Sequence, residues 1–159
     1  MTKDRLAVII GTFFGAGLFP WAPGTVGSIA ALAIYLAARP ALSAWWLIVA
    51  AAALYAPAVW AAGVCERIYK KTDPGCVVID EVIGQAITLA VIPASETGLG
   101  GWKIWLAGLI IFRGFDIAKP FPIRRLERLP GGYGIITDDV LAGIYGAVIL
   151  YLAMRLGLR

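Results

Sequence analysis

The stretch Ser43–Gly63, SAWWLIVAAAALYAPAVWAAG, decides the fold class of this chain. It contains no charged side chain, and about 20 mostly apolar residues are enough for a helix to cross a bilayer. Trp45, Trp46 and Trp60 lie near its ends, where membrane helices often carry interfacial aromatic residues. We therefore expect a transmembrane helix over this stretch.

The composition of the whole chain supports the same fold class. Of its 159 residues, 60% are hydrophobic and only 15% are charged, whereas a soluble domain is about 45–50% apolar and about 25% charged. The net charge of +4 is too small to indicate a nucleic-acid partner. Cys65 and Cys76 have no metal-binding spacing and imply no disulfide framework. We expect one all-α domain over residues 1–159, a polytopic membrane helix bundle.

Other apolar stretches complete the predicted bundle. Asp139–Leu158 is the second long stretch, and Val26–Ala38, Val82–Pro93 and Trp102–Phe112 are shorter. The short stretches reach spanning length only by including charged residues, and charges at helix ends inside a membrane protein usually mark a site. Leu6–Phe19 is apolar but rich in glycine, and we expect an interfacial or re-entrant helix there.

Basic residues in cytoplasmic segments usually outnumber those outside, and this rule predicts an orientation. With the N-terminus inside and five crossings from Val26 onward, ten basic residues fall inside and four outside. The same orientation places five carboxylates at the cytoplasmic face. The inside set is Lys3, Arg5, Arg67, Lys70, Lys71, Arg113, Lys119, Arg124, Arg125 and Arg128, and the outside set is Arg39, Lys103, Arg155 and Arg159.

Those five acids come from three segments: Asp80-Glu81, Asp116 and Asp138-Asp139. Hard cations such as Mg²⁺ take oxygen ligands, commonly carboxylates together with water and substrate phosphate. Thr137 or Asp138 is a candidate N-cap of the last helix, and Gly131, Gly132 and Gly134 could let the backbone approach a ligand or metal. The acids predict a metal site.

Basic residues accompany the acids. Arg113, Asp116 and Lys119 are three apart and would share one face of a helix, and Arg124 and Arg128 are four apart. Arginine and lysine beside metal-binding carboxylates suit a phosphate group, so the pattern favours phosphoryl-transfer chemistry. The alternative is a cytoplasmic loop whose arginines contact anionic lipid headgroups.

Missing motifs narrow the mechanism. The chain has no histidine, no Cys-x5-Arg, no Asp-x-Asp-x-Thr and no Walker loop. Phosphatases with a histidine or cysteine nucleophile are therefore excluded. Metal-assisted attack by water is left as the main possibility, with a carboxylate nucleophile as the second.

Over nearly its whole length the chain resembles the phosphatidylglycerophosphatase A family of bacterial membrane enzymes. Four stretches in family order carry the resemblance: Pro23–Ser28, Val78–Gly84, Phe112–Arg124, and Gly131–Ile135 with Asp138-Asp139 and Ala142-Gly143. The family converts phosphatidylglycerophosphate to phosphatidylglycerol with Mg²⁺, so the resemblance implies this substrate and cofactor. Some members have a histidine-containing segment before the first acid pair. Here that segment is Lys71-Thr72-Asp73-Pro74-Gly75, and we assign it no catalytic role.

The resemblance also implies a set of site residues. The expected catalytic residues are Asp80, Glu81, Asp116 and Asp139, and these four with Asp138 are the expected metal ligands. The expected substrate-binding residues are Arg113, Lys119, Arg124, Thr25 and Ser28. We expect the protein in the bacterial inner membrane, multi-pass, with its active site facing the cytoplasm.

Two other classes of function are open at the level of sequence. A small cation transporter or channel could use membrane-embedded carboxylates, although its site would be expected near the midplane of the bilayer. A lipid-binding scaffold could use the arginine-rich loop, but it leaves the acid pairs unexplained. The oligomeric state and the number of metal ions do not follow from the sequence.

Overall fold

The computed structural model describes residues 2–39, 41, 43, 45–93 and 101–158, and its regular structure over these residues is entirely helical. The all-α prediction is therefore confirmed. The elements are α1 (Lys3–Gly11), a 3₁₀ turn (Ala16–Leu18), α2 (Pro23–Ala38), α3 (Trp46–Tyr69), α4 (Ile79–Leu89), α5 (Trp102–Ala118), α6 (Ile123–Leu126) and α7 (Gly132–Arg155).

Two of the described helices, α3 and α7, are long and apolar enough to cross a bilayer. Each has 24 residues, or roughly 36 Å at about 1.5 Å per residue, against a hydrocarbon core of about 30 Å. Trp45 and Trp46 stack at the start of α3 with ring centroids 4.6 Å apart. The placement of Trp60 near an end was wrong, because α3 continues to Tyr69 and leaves Trp60 in the helix interior.

The short helix α4 lies at the centre of the bundle. It packs against α7, α2, α3 and α5, and Ile79, Ile83 and Leu89 are almost completely buried. Its 11 residues span roughly 17 Å, about half of what a crossing helix needs. This helix therefore serves mainly to carry its first turn, which holds Asp80 and Glu81, into the interior of the bundle.

The last helix begins seven residues before the predicted start at Asp139. Gly131 has a positive φ of 60°, and α7 starts at Gly132. Thr137 and Asp138 are therefore inside the helix, and neither is its N-cap. The physical reason is close packing: a Cβ on Gly132 would lie 1.9 Å from the carbonyl oxygen of Val59, so glycine lets α7 start against α3. Gly132 and Gly134 thus allow close contact between backbones, with α3 and with the segment before α7, respectively.

The N-terminal segment forms a short helix and then reverses direction. The nine residues of α1 pack on α3, with Ala7 buried against Ala61 and Val64. After the reversal at residues 12–15, the chain returns through the 3₁₀ turn to α2. Several large apolar side chains of this return are exposed, as expected for an interfacial or re-entrant segment: Phe14, Leu18, Phe19 and Trp21.

Candidate active site

Two glycines bring the acid pairs of α4 and α7 together. Gly84 lies one turn after Asp80, and Gly143 lies one turn after Asp139. A Cβ on Gly143 would lie 2.4 Å from the carbonyl oxygen of Gly84, so the two backbones cross here in direct contact. The hydroxyl of Thr88 donates to the carbonyl oxygen of Gly143 at 3.1 Å and fixes the register of the crossing.

Carboxylate oxygens of Asp80, Glu81 and Asp139 form a compact cluster beside this crossing. One oxygen from each residue lies within 4.8 Å of the others. Only 7% of Asp80 and 3% of Asp139 is exposed. Asp80 Oδ1, Glu81 Oε2 and Asp139 Oδ2 are buried and accept no hydrogen bond from any described residue. Buried anions without partners are costly, so the cluster suits a hard divalent cation, which takes oxygen ligands of this kind.

Arg113 of α5 joins Asp116 to the cluster. Its guanidinium forms an ion pair with Asp116, three residues on, as the helical spacing predicted. The same nitrogen, Nη1, donates to Glu81 Oε1 at 3.5 Å. Arg113 Nε is buried and has no acceptor among the described residues. Asp116 therefore holds Arg113 at the edge of the cluster, beside Glu81.

Lys119 does not share the helical face of Arg113 and Asp116, contrary to the prediction. The helix α5 ends at Ala118, and Lys119 is its C-cap in a left-handed conformation with φ 41°. Its Nζ donates to Asp138 Oδ2 at 2.6 Å and to Glu127 Oε1 at 3.4 Å. Burial alone would lower the pKa of Lys119, but the bond to Asp138 and the charges of both carboxylates raise it above its usual value. The lysine therefore stays protonated.

Asp138 is consequently set apart from the three clustered acids. Its Oδ2 accepts from Lys119, and its Oδ1 accepts from the backbone N–H of Asp139 at 2.9 Å. The five predicted ligands thus separate into a cluster of three, with Asp116 bound to Arg113 and Asp138 bound to Lys119. Sequence analysis did not identify Glu127, the second partner of Lys119, because its contact depends on the turn after α5.

The N-terminus of α2 closes the site beside Glu81. A Cβ on Gly24 would lie 2.0 Å from Glu81 Oε1, so a larger residue there would displace the Glu81 side chain. A helix N-terminus favours nearby negative charge. Thr25 is half-buried in the same turn, and its predicted role in substrate binding stays a prediction. Ser28 is fully buried, and its hydroxyl donates to the carbonyl oxygen of Gly24 at 3.0 Å, so it supports the turn.

Arg124 lies outside the cluster, in an open cavity of about 480 Å³. Arg128 lines the same cavity, as its spacing from Arg124 suggested. Lys119 borders this cavity and also contacts Asp138, so it connects the cavity to the acids. The three predicted phosphate-binding residues therefore occupy two adjoining places: Arg113 and Lys119 at the acids, and Arg124 beyond them.

A second cavity, of about 370 Å³, lies where the ends of α3, the loop after it and the start of α7 meet. Asp73 and Asp138 both line this cavity. The loop that contains Asp73, to which we assigned no catalytic role, therefore approaches the site. Asp73 itself has a positive φ of 48°, and its backbone N–H donates to Glu66 Oε1 at 3.4 Å. No sequence motif indicated this proximity.

Two described helices of bilayer-spanning length and a buried acidic cluster beside two cations fit the class of α-helical membrane proteins. The family model of phosphatidylglycerophosphatase A matches residues 9–154. The chain therefore belongs to the phosphatidylglycerophosphatase A family, as the sequence motifs predicted, and it is a lipid phosphatase.

Named relatives cover most of the chain. A Bacteroides thetaiotaomicron protein, provisionally named a phosphatidylinositol-3-phosphatase, is 38% identical over 93% of this chain and 93% of its own. The phosphatidylglycerophosphatase A of Escherichia coli K12 is 36% identical over 95% of this chain and 88% of its own. That of Haemophilus influenzae is 36% identical over 87% and 82%, respectively. No solved structure matches the chain significantly.

Proposed function

We propose that this protein hydrolyses phosphatidylglycerophosphate to phosphatidylglycerol and inorganic phosphate in phospholipid synthesis. The observation that carries the proposal is the cluster of Asp80, Glu81 and Asp139, with three buried oxygens that accept no hydrogen bond from the residues the structure describes. Arg113 contacts Glu81 of this cluster, and Lys119 contacts Asp138, the neighbour of Asp139 in sequence. The substrate follows from the family and from the names of the Escherichia coli and Haemophilus influenzae relatives.

Mg²⁺ is the cofactor that this donor set fits. Asp80, Glu81 and Asp139 would hold it. Asp116 would support these ligands through its ion pair with Arg113, and Asp138 would support them through its hydrogen bond from the backbone N–H of Asp139. When bound, such an ion activates water and offsets charge on phosphate oxygens.

The chain's own residues supply binding and orientation. Arg113, whose Nε has no acceptor among the described residues, and Lys119, as a point charge, would hold the oxygens of the phosphomonoester. Their carboxylate partners, Asp116 and Asp138, fix both cations before substrate arrives. Asp139 Oδ2 accepts no hydrogen bond from any described residue and would accept the proton that water loses during attack on phosphorus.

The proposed location is the bacterial inner membrane, in a multi-pass arrangement with the site facing the cytoplasm. Among the described helices, α3 and α7 are long and apolar enough to cross, and the predicted orientation puts the excess of basic residues on the side of the site. The acyl chains of the lipid would stay in the bilayer while its headgroup reaches the acids. The site lies where α4 begins and α5 ends, which favours an interfacial reaction over transport through the midplane.

The test is release of inorganic phosphate by purified protein in mixed micelles. We expect phosphate from phosphatidylglycerophosphate, and a parallel arm offers phosphatidylinositol 3-phosphate because of the name of the Bacteroides thetaiotaomicron relative. The matched control is Asp139→Asn. No release from phosphatidylglycerophosphate, or equal release by the control, would refute the proposal. Cation flux into vesicles without any phosphatase activity would favour the transporter instead.

A further inference from the structure

The open cavity beside the acids is lined by basic side chains from a single segment of the chain. Lys119, Arg124, Arg125 and Arg128 all border its 480 Å³. Lys119 is paired with carboxylates, but Arg124, Arg125 and Arg128 form no ion pair with any residue that the structure describes. Three arginines that line one cavity and form no ion pair with a described residue provide strong hydrogen-bond donors for an anion.

The cavity has a shape as well as a charge. Phe121 and Pro120 form part of its wall. The guanidinium of Arg125 lies over the ring of Phe121, 4.7 Å from its centroid, and this contact restrains the side chain. Arginines that only attract a membrane surface need no such restraint. The cavity therefore resembles a binding site for a particular anion more than a general basic surface.

The position of the cavity relative to the acids indicates which anion it would take. Lys119 belongs to both places, since it lines the cavity and donates to Asp138 at 2.6 Å. A ligand whose phosphomonoester lies at the acids can thus place a neighbouring group in the cavity. In phosphatidylglycerophosphate, that neighbouring group across the glycerol is an anionic phosphodiester.

Building on the proposed function, we infer that Arg124, Arg125 and Arg128 form a subsite for the phosphodiester of the lipid substrate. The enzyme would thereby select lipids that carry a phosphodiester and a terminal phosphomonoester together. Phosphatidylinositol 3-phosphate shares this pair of groups. Phosphatidate has only a monoester attached directly to its diacylglycerol, and it leaves the cavity empty.

The test compares kcat/KM for phosphatidylglycerophosphate with kcat/KM for phosphatidate carrying the same acyl chains, in micelles of neutral detergent. The wild type should prefer the lipid with two phosphates. Arg124→Gln, Arg125→Gln and Arg128→Gln should each lower this preference about tenfold or more, the scale of a lost hydrogen bond to a charged group. The loss should fall mainly on KM, and Arg125→Lys should restore part of it.

The matched control is Arg67→Gln, which removes an exposed positive charge at the end of α3, outside the cavity. It should leave the preference unchanged. If the cavity variants lower both substrates equally, the arginines act only by attracting the anionic surface, and the subsite is refuted. A wild type without preference between the two lipids refutes it as well.

A binding measurement separates this inference from the proposed function. Short-chain phosphatidylglycerol has the phosphodiester but no monoester, and its binding needs no turnover. Titration by intrinsic tryptophan fluorescence should show at least about tenfold weaker binding to Arg125→Gln than to the wild type. Equal binding refutes the subsite even if phosphate release is observed. Absence of phosphate release refutes the proposed function, whatever the titration shows.

Discussion

At the scale of single residues, the three clustered carboxylates and Asp116 should be required for turnover. Asp80→Asn, Asp116→Asn and Asp139→Asn should each lower kcat at least about 10²-fold, because each removes a charge while keeping the shape of the side chain. Steady-state phosphate release by correctly inserted protein is the measurement. Asp4→Asn, in the exposed first turn of α1, is the control and should retain activity. Near-normal turnover in all three variants would place the site elsewhere.

Asp138 should behave differently, because its carboxylate holds Lys119 and lies outside the cluster. Asp138→Asn keeps an oxygen for Lys119 but loses the ionic attraction, so the lysine would be positioned less firmly. We expect a rise in KM of about tenfold, the scale of a charged hydrogen bond, with a smaller change in kcat. A loss confined to kcat would instead place Asp138 among the catalytic carboxylates.

The sequence singled out five acids as candidate ligands, but it did not predict that three of them form a cluster while Asp116 and Asp138 pair with cations. Spacing within a helix correctly predicted the contact between Arg113 and Asp116. The contact between Lys119 and Asp138 depends on where α5 ends and on how it meets α7, and periodicity contains neither. For the same reason, periodicity could not predict which basic side chains lie at the acid cluster and which line the cavity.

At the scale of elements, the crossing of α4 and α7 at Gly84 and Gly143 determines the distance between the acid pairs. Gly143→Ala would place a methyl group 2.4 Å from the carbonyl oxygen of Gly84, so the helices must separate. Activity should fall by about tenfold or more, since small misplacements of catalytic groups are costly, and Tm should fall with it. Phosphate release and thermal unfolding in detergent measure the two effects.

The control for this prediction is Gly114→Ala in α5. A Cβ there meets nothing within 4 Å, although the residue adjoins Arg113 in sequence. Alanine is also favoured over glycine inside a helix by roughly 0.5–1 kcal/mol. Tm should therefore be unchanged or slightly higher. A similar loss of Tm in both variants would show that the crossing has no special role.

Helix boundaries show the same limit of sequence reasoning. Hydropathy located α3 and the apolar part of α7, but it placed the start of α7 at Asp139, seven residues too late. Small residues in fact allow close packing of the first turn on α3. Contact of this kind depends on a second helix, so a local pattern cannot reveal it.

At the scale of the whole molecule, the proposed orientation can be tested by labelling single cysteines. Cys65 and Cys76 are first replaced by serine or alanine, and a cysteine is then placed at Glu127 or Leu156, both exposed. Position 127 should react only from the cytoplasmic side and position 156 only from outside, because α7 runs between them. Position 97, also predicted outside, lies beyond the described residues. Labelling of position 127 from outside would invert the topology.

The central claim is that Asp80, Glu81 and Asp139 bind a divalent cation that the hydrolysis of phosphatidylglycerophosphate requires. The most direct measurement is phosphate release by metal-stripped protein in excess EDTA, followed by addition of Mg²⁺ beyond the chelator. We predict no turnover in EDTA, recovery with Mg²⁺, and no recovery for Asp80→Asn or Asp139→Asn. Undiminished turnover of the stripped wild type in EDTA would contradict the account.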